Sequence, residues 1–513
     1  MPRVKPGQRR RAKAPKVRTG CRTCNPRPDS LLPNVLLLTG FNGLGTASGR
    51  ICDGYDPLPA NAEPRFIAVV PSPVRREESR SLRYFYEKTV SQMTTFFRDE
   101  FWTRHVMQVA DSEKCIRHSL VALSSYHESF SSPKPASRNQ FALRHYNMSI
   151  GGILKSLRTA DNAHIHLMSC ILFICIEALQ GHISTVVHLV KAGYRILQEQ
   201  NKNQPAKSNG AKQREKPRSD ASAFFGFADR FLRRIIAQIY MVRKTRRKVQ
   251  GLAADAALQL IRDLDPDITA IVTSILQPSE QSRSFDFASL ADAQEGLSDI
   301  RLQFERCDMR GLVGKVSAWS TAFEEFKSLN SAALTSRANK RAVALLELQS
   351  RYCAVDIAIS CAGDQADQLL WDRYIGAFTD MLGYAEKAMD LHDQASCSPQ
   401  FHMHSGTVPV LYGIIAKCRD PTIRRRAIGL MTSRPLQEGV WNNNLVLGVA
   451  RRIMATEEGS LGPWPASCKD IPAESRVRSI AVAAGAGDNQ YMVGYQLGRG
   501  WRWEESDYIA DCV

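Results

Sequence analysis

Cys21 and Cys24 form a C-x-x-C pair near the amino terminus, and Cys52 follows. Thiolates at the first spacing make half of a zinc site or a redox couple. No βαβ pattern surrounds the pair, which argues against the redox role. The chain holds 13 cysteines, an odd number thinly spread, unlike a small disulfide scaffold. Cys170 and Cys175 in LMSCILFICIEAL, and Cys353 and Cys361 in YCAVDIAISC, sit among apolar residues and read as buried thiols of a reducing compartment. His164 and His166 open an apolar stretch, and His402 and His404 precede GTVPVLYG. On a helix this i, i+2 spacing points the rings apart, so both pairs read as structural histidines rather than metal ligands. No G-x-S-x-G, H-E-x-x-H, phosphate loop or dinucleotide fingerprint occurs, and nothing in the chain is specific to an enzyme.

The positive charge is concentrated. Of a formal net +17, ten Lys/Arg fall within the first 27 residues, and Asp29 is the first carboxylate. Such an arm repels itself, stays unfolded alone and binds polyanions; on DNA each cation near a phosphate releases counterions. Arg9, Arg10, Arg11 and Lys13 would also serve as a nuclear import signal. A second basic stretch, 201–248, opens with a polar, proline-containing run expected to be a disordered loop over 201–222. It closes on Arg243–Lys248, read as a solvated helix end after the apolar stripe Phe231, Ile235, Ile239.

These residues need a scaffold. With 513 residues and 44% hydrophobic content, the chain exceeds a single core and is no disordered polymer. The longest apolar run, Leu167–Leu179, is interrupted by Ser169 and Glu177 and falls short of the ~20 residues of a membrane span. No secretory signal is expected, and no membrane partner. Period-3.6 amphipathicity dominates. Asp111 is a candidate cap for a helix whose Ile116, Leu120, Leu123 and His127 share one face. His164–Leu179 reads as a buried helix, ended by Gly181 and followed by Ile183–Leu197 with Val186, Val187, Val190 and Leu197 inward. Further helices are expected at Ser289–Phe304 (capped by Ser289), Ala318–Leu329, Ala332–Ile359 and Ala366–Asp390, and at Thr422–Met431 behind Asp420-Pro421. Strand candidates are few: Ile67–Val70 and Tyr491–Leu497. The predicted class is mainly α, an array of antiparallel helix pairs, solenoid-like or irregular, behind a small disordered amino-terminal remnant. The division is 1–56 as a basic head, 57–80 as a linker, 81–460 as a helical body and 461–513 as a mixed tail. Pro57, Pro59, Pro64, Pro71 and Pro73 oppose a helix in the linker, and one is expected first near Ser81–Phe97.

Lys16–Cys24 (KVRTGCRTC) together with Gly49–Tyr55 (GRICDGY) resembles the two ends of the fungal binuclear zinc-cluster DNA-binding module. The body resembles the fungus-specific helical regulatory domain found downstream of such clusters. It does so through Phe101-Trp102, Ile116–Glu128, Phe141–Tyr146, Phe173–Gly181 and Gly193–Leu197, and later through Val408–Tyr412, Lys417–Pro421 and Glu438–Trp441. The resemblance implies a nuclear, zinc-dependent, sequence-specific regulator of transcription by RNA polymerase II in fungal metabolism. Its implied ligands are Cys21, Cys24 and Cys52, its phosphate contacts Lys16, Arg18 and Arg22, and its DNA sites of CGG type. Its helical body would hold an effector pocket or a co-regulator groove. Co-regulator proteins are implied as partners, and a homodimer is left open.

The centre of the zinc module departs from that pattern. Residues 25–47 (NPRPDSLLPNVLLLTGFNGLGTA) contain no cysteine, Leu31 stands where a third ligand belongs and Gly45 near the place of a fifth. Three thiolates cannot hold two zinc ions. Two accounts stand: a mis-spliced or frame-shifted segment, or an isoform that has lost DNA binding. A recombinant 1–60 fragment is expected to stay unfolded with added zinc. The alternative function is a helical interaction protein with only non-specific nucleic-acid affinity.

Overall fold

The computed structural model describes residues 73–132, 136–156, 162–203, 220–244, 285–303, 309–362, 367–390, 398–459, 465–484, 490–498 and 500–507. All belong to the unit Pro73–Val513. The basic arm, its cysteines and the strand candidate Ile67–Val70 lie outside the described residues.

The described chain is mainly α-helical, as the periodicity predicts. Helix α1 (Pro73–Tyr84) continues through a π-helical turn, Phe85–Thr89, into the short α2 (Val90–Met93). Helix thus begins earlier than Ser81, because Pro73 takes the first helical position, where no N–H donor is needed. A second π-helical turn, Phe101–His105, leads into α3 (Val106–Ser112). Helix α4 (Lys114–Ser131) buries Ile116, Leu120, Leu123 and His127 as predicted. Asp111 does not cap it: that residue lies within α3, and the chain breaks at Glu113, which is extended and makes no side-chain cap bond. Helix α5 (Ala136–Ser156) packs on α4, the Ser119 and Ser149 hydroxyls meeting at 2.7 Å.

Helix α6 (Ala163–Leu179) is buried on most sides. Gly181 (φ +80°) turns the chain, and the N–H of His182 donates to Glu177 O at 2.9 Å, satisfying a terminal carbonyl. Helix α7 (Ile183–Asn203) returns with Val186, Val187, Val190 and Leu197 buried, completing the predicted αα-hairpin. Helix α8 (Asp220–Lys244) places Phe227 flat against Phe101, ring centroids 4.2 Å apart. The loop expected at 201–222 is therefore helical at both margins, over 201–203 and 220–222.

Helix α9 (Leu290–Gln303) has its predicted cap, Ser289 Oγ accepting from the N–H of Asp292 at 3.2 Å. Helices α10 (Met309–Leu329) and α11 (Arg337–Cys361) follow. Ser336, not Ala332, starts α11, because its side chain accepts from the N–H of Asn339. A 3₁₀ segment, Gln368–Tyr374, precedes α12 (Ile375–Met389). Then come β1 (Gln400–His402), α13 (Val408–Lys417), α14 (Pro421–Thr432), β2 (Leu436–Glu438), β3 (Trp441–Asn442) and α15 (Asn443–Glu458). Asp420 caps α14 as expected, accepting from the N–H groups of Thr422 and Ile423 at 3.0 Å. Strand β1 pairs parallel with β2, and β2 antiparallel with β3.

The tail is an antiparallel meander of β4 (Val477–Ala484), β5 (Gln490–Leu497) and β6 (Gly500–Asp507). The strand expected at Tyr491–Leu497 is β5; its two neighbours were not predicted. One continuous apolar core runs from Phe85 to Ala450. A second, smaller cluster of Ala416, Ile453, Val477, Ile480, Val493 and Tyr495 fastens the meander to α13 and α15. The valine and isoleucine side chains among them contribute about 1.5–3 kcal/mol each when fully buried.

Candidate functional site

A cavity of about 250 Å³ opens where the meander meets the helical core. Its walls come from α11, the 3₁₀ segment before α12, α13, the β2–β3 region and the start of β4, with Arg301 of α9 at the rim. These elements are distant in sequence, and tertiary packing brings them together.

The wall is aromatic and cationic. Tyr412 and Trp441 are neighbours, ring centroids 6.2 Å apart and planes at 47°. Tyr352 lies so close over α13 that a Cβ on Gly413 would fall 2.1 Å from its hydroxyl, so only glycine admits the ring there. Lys417 Nζ sits 5.7 Å from the Trp371 ring centre and donates to Gln368 Oε1 at 3.2 Å and to Arg478 O at 3.1 Å. Arg301 Nη2 donates to Gln349 O at 3.2 Å. Arg301, Lys417 and Arg478 face a single carboxylate on the wall, Asp356. Burial pushes the hydroxyls of Tyr352 and Tyr412 well above the usual tyrosine range, which keeps both as neutral donors. Trp441 is 6% exposed, and its Nε1–H has no hydrogen-bond partner among the described residues. The same is true of Arg478 Nε–H.

Two ion clusters hold the cavity's outer wall. Glu457 Oε1 accepts from Arg419 Nη2 at 2.9 Å and from the N–H of Val477 at 2.7 Å, while Arg424 donates to Oε2. Burial raises the Glu457 carboxyl, but the guanidinium groups of Arg419 and Arg424 outweigh it and hold the group below the usual range. Arg476 pairs in bidentate fashion with Asp372, both N–O distances 2.9 Å, and Nη2 also donates to Cys468 O at 2.7 Å. The first strand of the meander is thereby tied to both α15 and the segment before α12.

A second cluster could hold a metal. Ligand atoms of Glu78, His118 and His145 lie within 4.8 Å of one another. The two imidazole Nδ1 atoms are 3.0 Å apart, within hydrogen-bond distance, and burial lowers the pKa of both rings. An imidazole pair sharing one proton accounts for that distance without an ion.

The predicted site residues Lys16, Arg18, Arg22, Arg9, Arg10, Arg11, Lys13, Cys21, Cys24 and Cys52 all lie outside the described residues. His164 and His166 sit on α6, where His166 Nε2 meets Ser156 Oγ at 2.9 Å. His402 ends β1 and, with His404, is buried; His402 Nδ1 pairs with His404 O at 3.1 Å. Of the four cysteines read as buried, Cys175 and Cys353 are, Cys170 is half-buried and Cys361 is exposed at the end of α11. The sequence alone did not assemble the cavity. Its only trace was that three of the late family-like stretches, Val408–Tyr412, Lys417–Pro421 and Glu438–Trp441, contribute Tyr412, Lys417 and Trp441 to one wall.

Residues 80–239 match the sequence profile of the fungal specific transcription factor domain. The chain is also similar to the aspercryptin biosynthesis cluster-specific transcription regulator of Emericella nidulans, with 21% identity over 81% of this chain and 84% of that protein. No solved structure gives a significant match. The matched domain spans α1 to α8, and the cavity is built from residues that follow it.

Proposed function

We propose that this chain, whose residues 80–239 match a fungal transcription factor domain, regulates transcription in the nucleus by contacting DNA through its basic head. Residues 1–56 are the DNA-contacting part, 57–80 the linker and 81–460 the regulatory body. Lys16, Arg18 and Arg22 meet phosphates, and Arg9, Arg10, Arg11 and Lys13 direct nuclear import. No catalytic role is assigned. The Emericella relative, a regulator specific to a biosynthesis cluster, supports a biosynthesis gene cluster as the class of target.

The observation that carries this reading is the order of parts: ten Lys/Arg without an acid, placed ahead of the matched domain. Cys21, Cys24 and Cys52 are three thiolates where a binuclear cluster needs six, so the donor set does not fit that group. The basic residues alone give affinity that falls steeply with salt, with a slope of about −0.9 per neutralised phosphate.

Titrating the full chain against CGG-containing and random duplexes over a range of salt tests the proposal. Tighter binding to the CGG duplex supports sequence-specific regulation at CGG-type sites. Equal, steeply salt-dependent binding supports the second reading, a helical interaction protein with non-specific nucleic-acid affinity, which the missing cysteines favour. Absence of binding to either duplex refutes both.

A further inference from the structure

The cavity between α11, α13 and β4 is not needed for DNA contact, yet its lining is unbalanced in charge, with Arg301, Lys417 and Arg478 against Asp356. Low polarity around them strengthens any attraction for an anion. Trp371, Tyr412 and Trp441 add aromatic rings to a lining that also holds Ile359, Val410 and Ile480. A volume of about 250 Å³ lies just below the range of drug-sized sites and suits one or two rings.

We infer that this cavity binds a small planar aromatic carboxylate, its ring against the Tyr412 and Trp441 side and its anion taken by the cations of the lining. The ligand would bridge α13, β3 and β4, whereas the Glu457 and Arg476 ion clusters tie β4 to α15 and to the segment before α12, so occupancy would tighten the docking of the meander. The inference is independent of the proposed DNA contact, since the binding measured below involves no duplex.

Calorimetric titration of the full chain with benzoate and indole-3-acetate, against the neutral isosteres benzamide and indole-3-acetamide, tests it. At least one acid should bind, with its amide about tenfold weaker or more. Lys417→Gln and Arg478→Gln, which each remove one cation, should each weaken that acid by about tenfold while leaving the amide unchanged. No binding by either acid, equal binding of acid and amide, or undiminished acid binding by both folded variants would overturn the inference. The acid–amide comparison uses the unaltered chain, so a variant that fails to fold leaves it decisive.

Discussion

The Glu438 carboxyl lies against Gly406 so closely that a Cβ on that glycine would fall 2.3 Å from it. The same carboxylate caps α13, accepting from the N–H of Thr407 at 3.0 Å and of Val408 at 2.8 Å. Gly406 is therefore the space that lets a fully buried acid close a helix end. Gly406→Ala must push the carboxylate off its donors or shift the backbone. A loss of about 2–3 kcal/mol in urea unfolding is expected, and Glu438→Ala, which frees both N–H groups, should lose a similar amount.

Acid should destabilise the protein well above the range in which surface carboxylates titrate. Burial depresses the imidazoles of His127 and His402 to about 4, from an ordinary 6.5. The unfolded chain thus takes up protons first, and the stability each ring contributes above pH 6.5 is lost as pH falls towards 4, roughly 3 kcal/mol apiece. Glu438 opposes this. Burial raises it to about 7 from an ordinary 4.5, so its contribution is full below pH 4.5 and is lost as pH rises through 7. The two rings outweigh the one acid, so stability should fall from pH 7 to pH 5. His127→Gln, which has no proton to gain, should flatten that limb of the pH–stability curve.

Glu457 holds two buried guanidinium groups and the first N–H of the meander. Glu457→Ala leaves Arg419 and Arg424 without their shared carboxylate and should cost about 3–5 kcal/mol. The loss should be local first. Hydrogen exchange in β4 and β5 should accelerate more than in α6, which lies in the main core.

Thiol reactivity should follow position in the fold. Cys361 is exposed, whereas Cys175, Cys353 and Cys418 are buried, with the Cys418 thiol pushed up to about 12 by burial. Among the described cysteines, native-state alkylation mapped by mass spectrometry should modify Cys361 fast and those three only on unfolding.

The sequence by itself determined the class and most helices, because 3.6-residue periodicity and local punctuation are short-range signals. Gly181, Ser289 and the Asp420-Pro421 step each act within four residues of the bond they make, and each does in the fold what its type predicts. Asp111 shows the limit: a capping residue type counts only if the preceding helix has ended, and α3 runs through it. The meander was half legible, since β5 repeats Val493, Tyr495 and Leu497 at every second position while β6, GWRWEESD, is carried by pairing with β5 rather than by hydrophobic pattern. The cavity belonged wholly to the tertiary structure. Arg301, Tyr352, Lys417, Trp441 and Arg478 have no spacing in common, and only the packing of α9, α11, α13, β3 and β4 sets their charges and rings around one space.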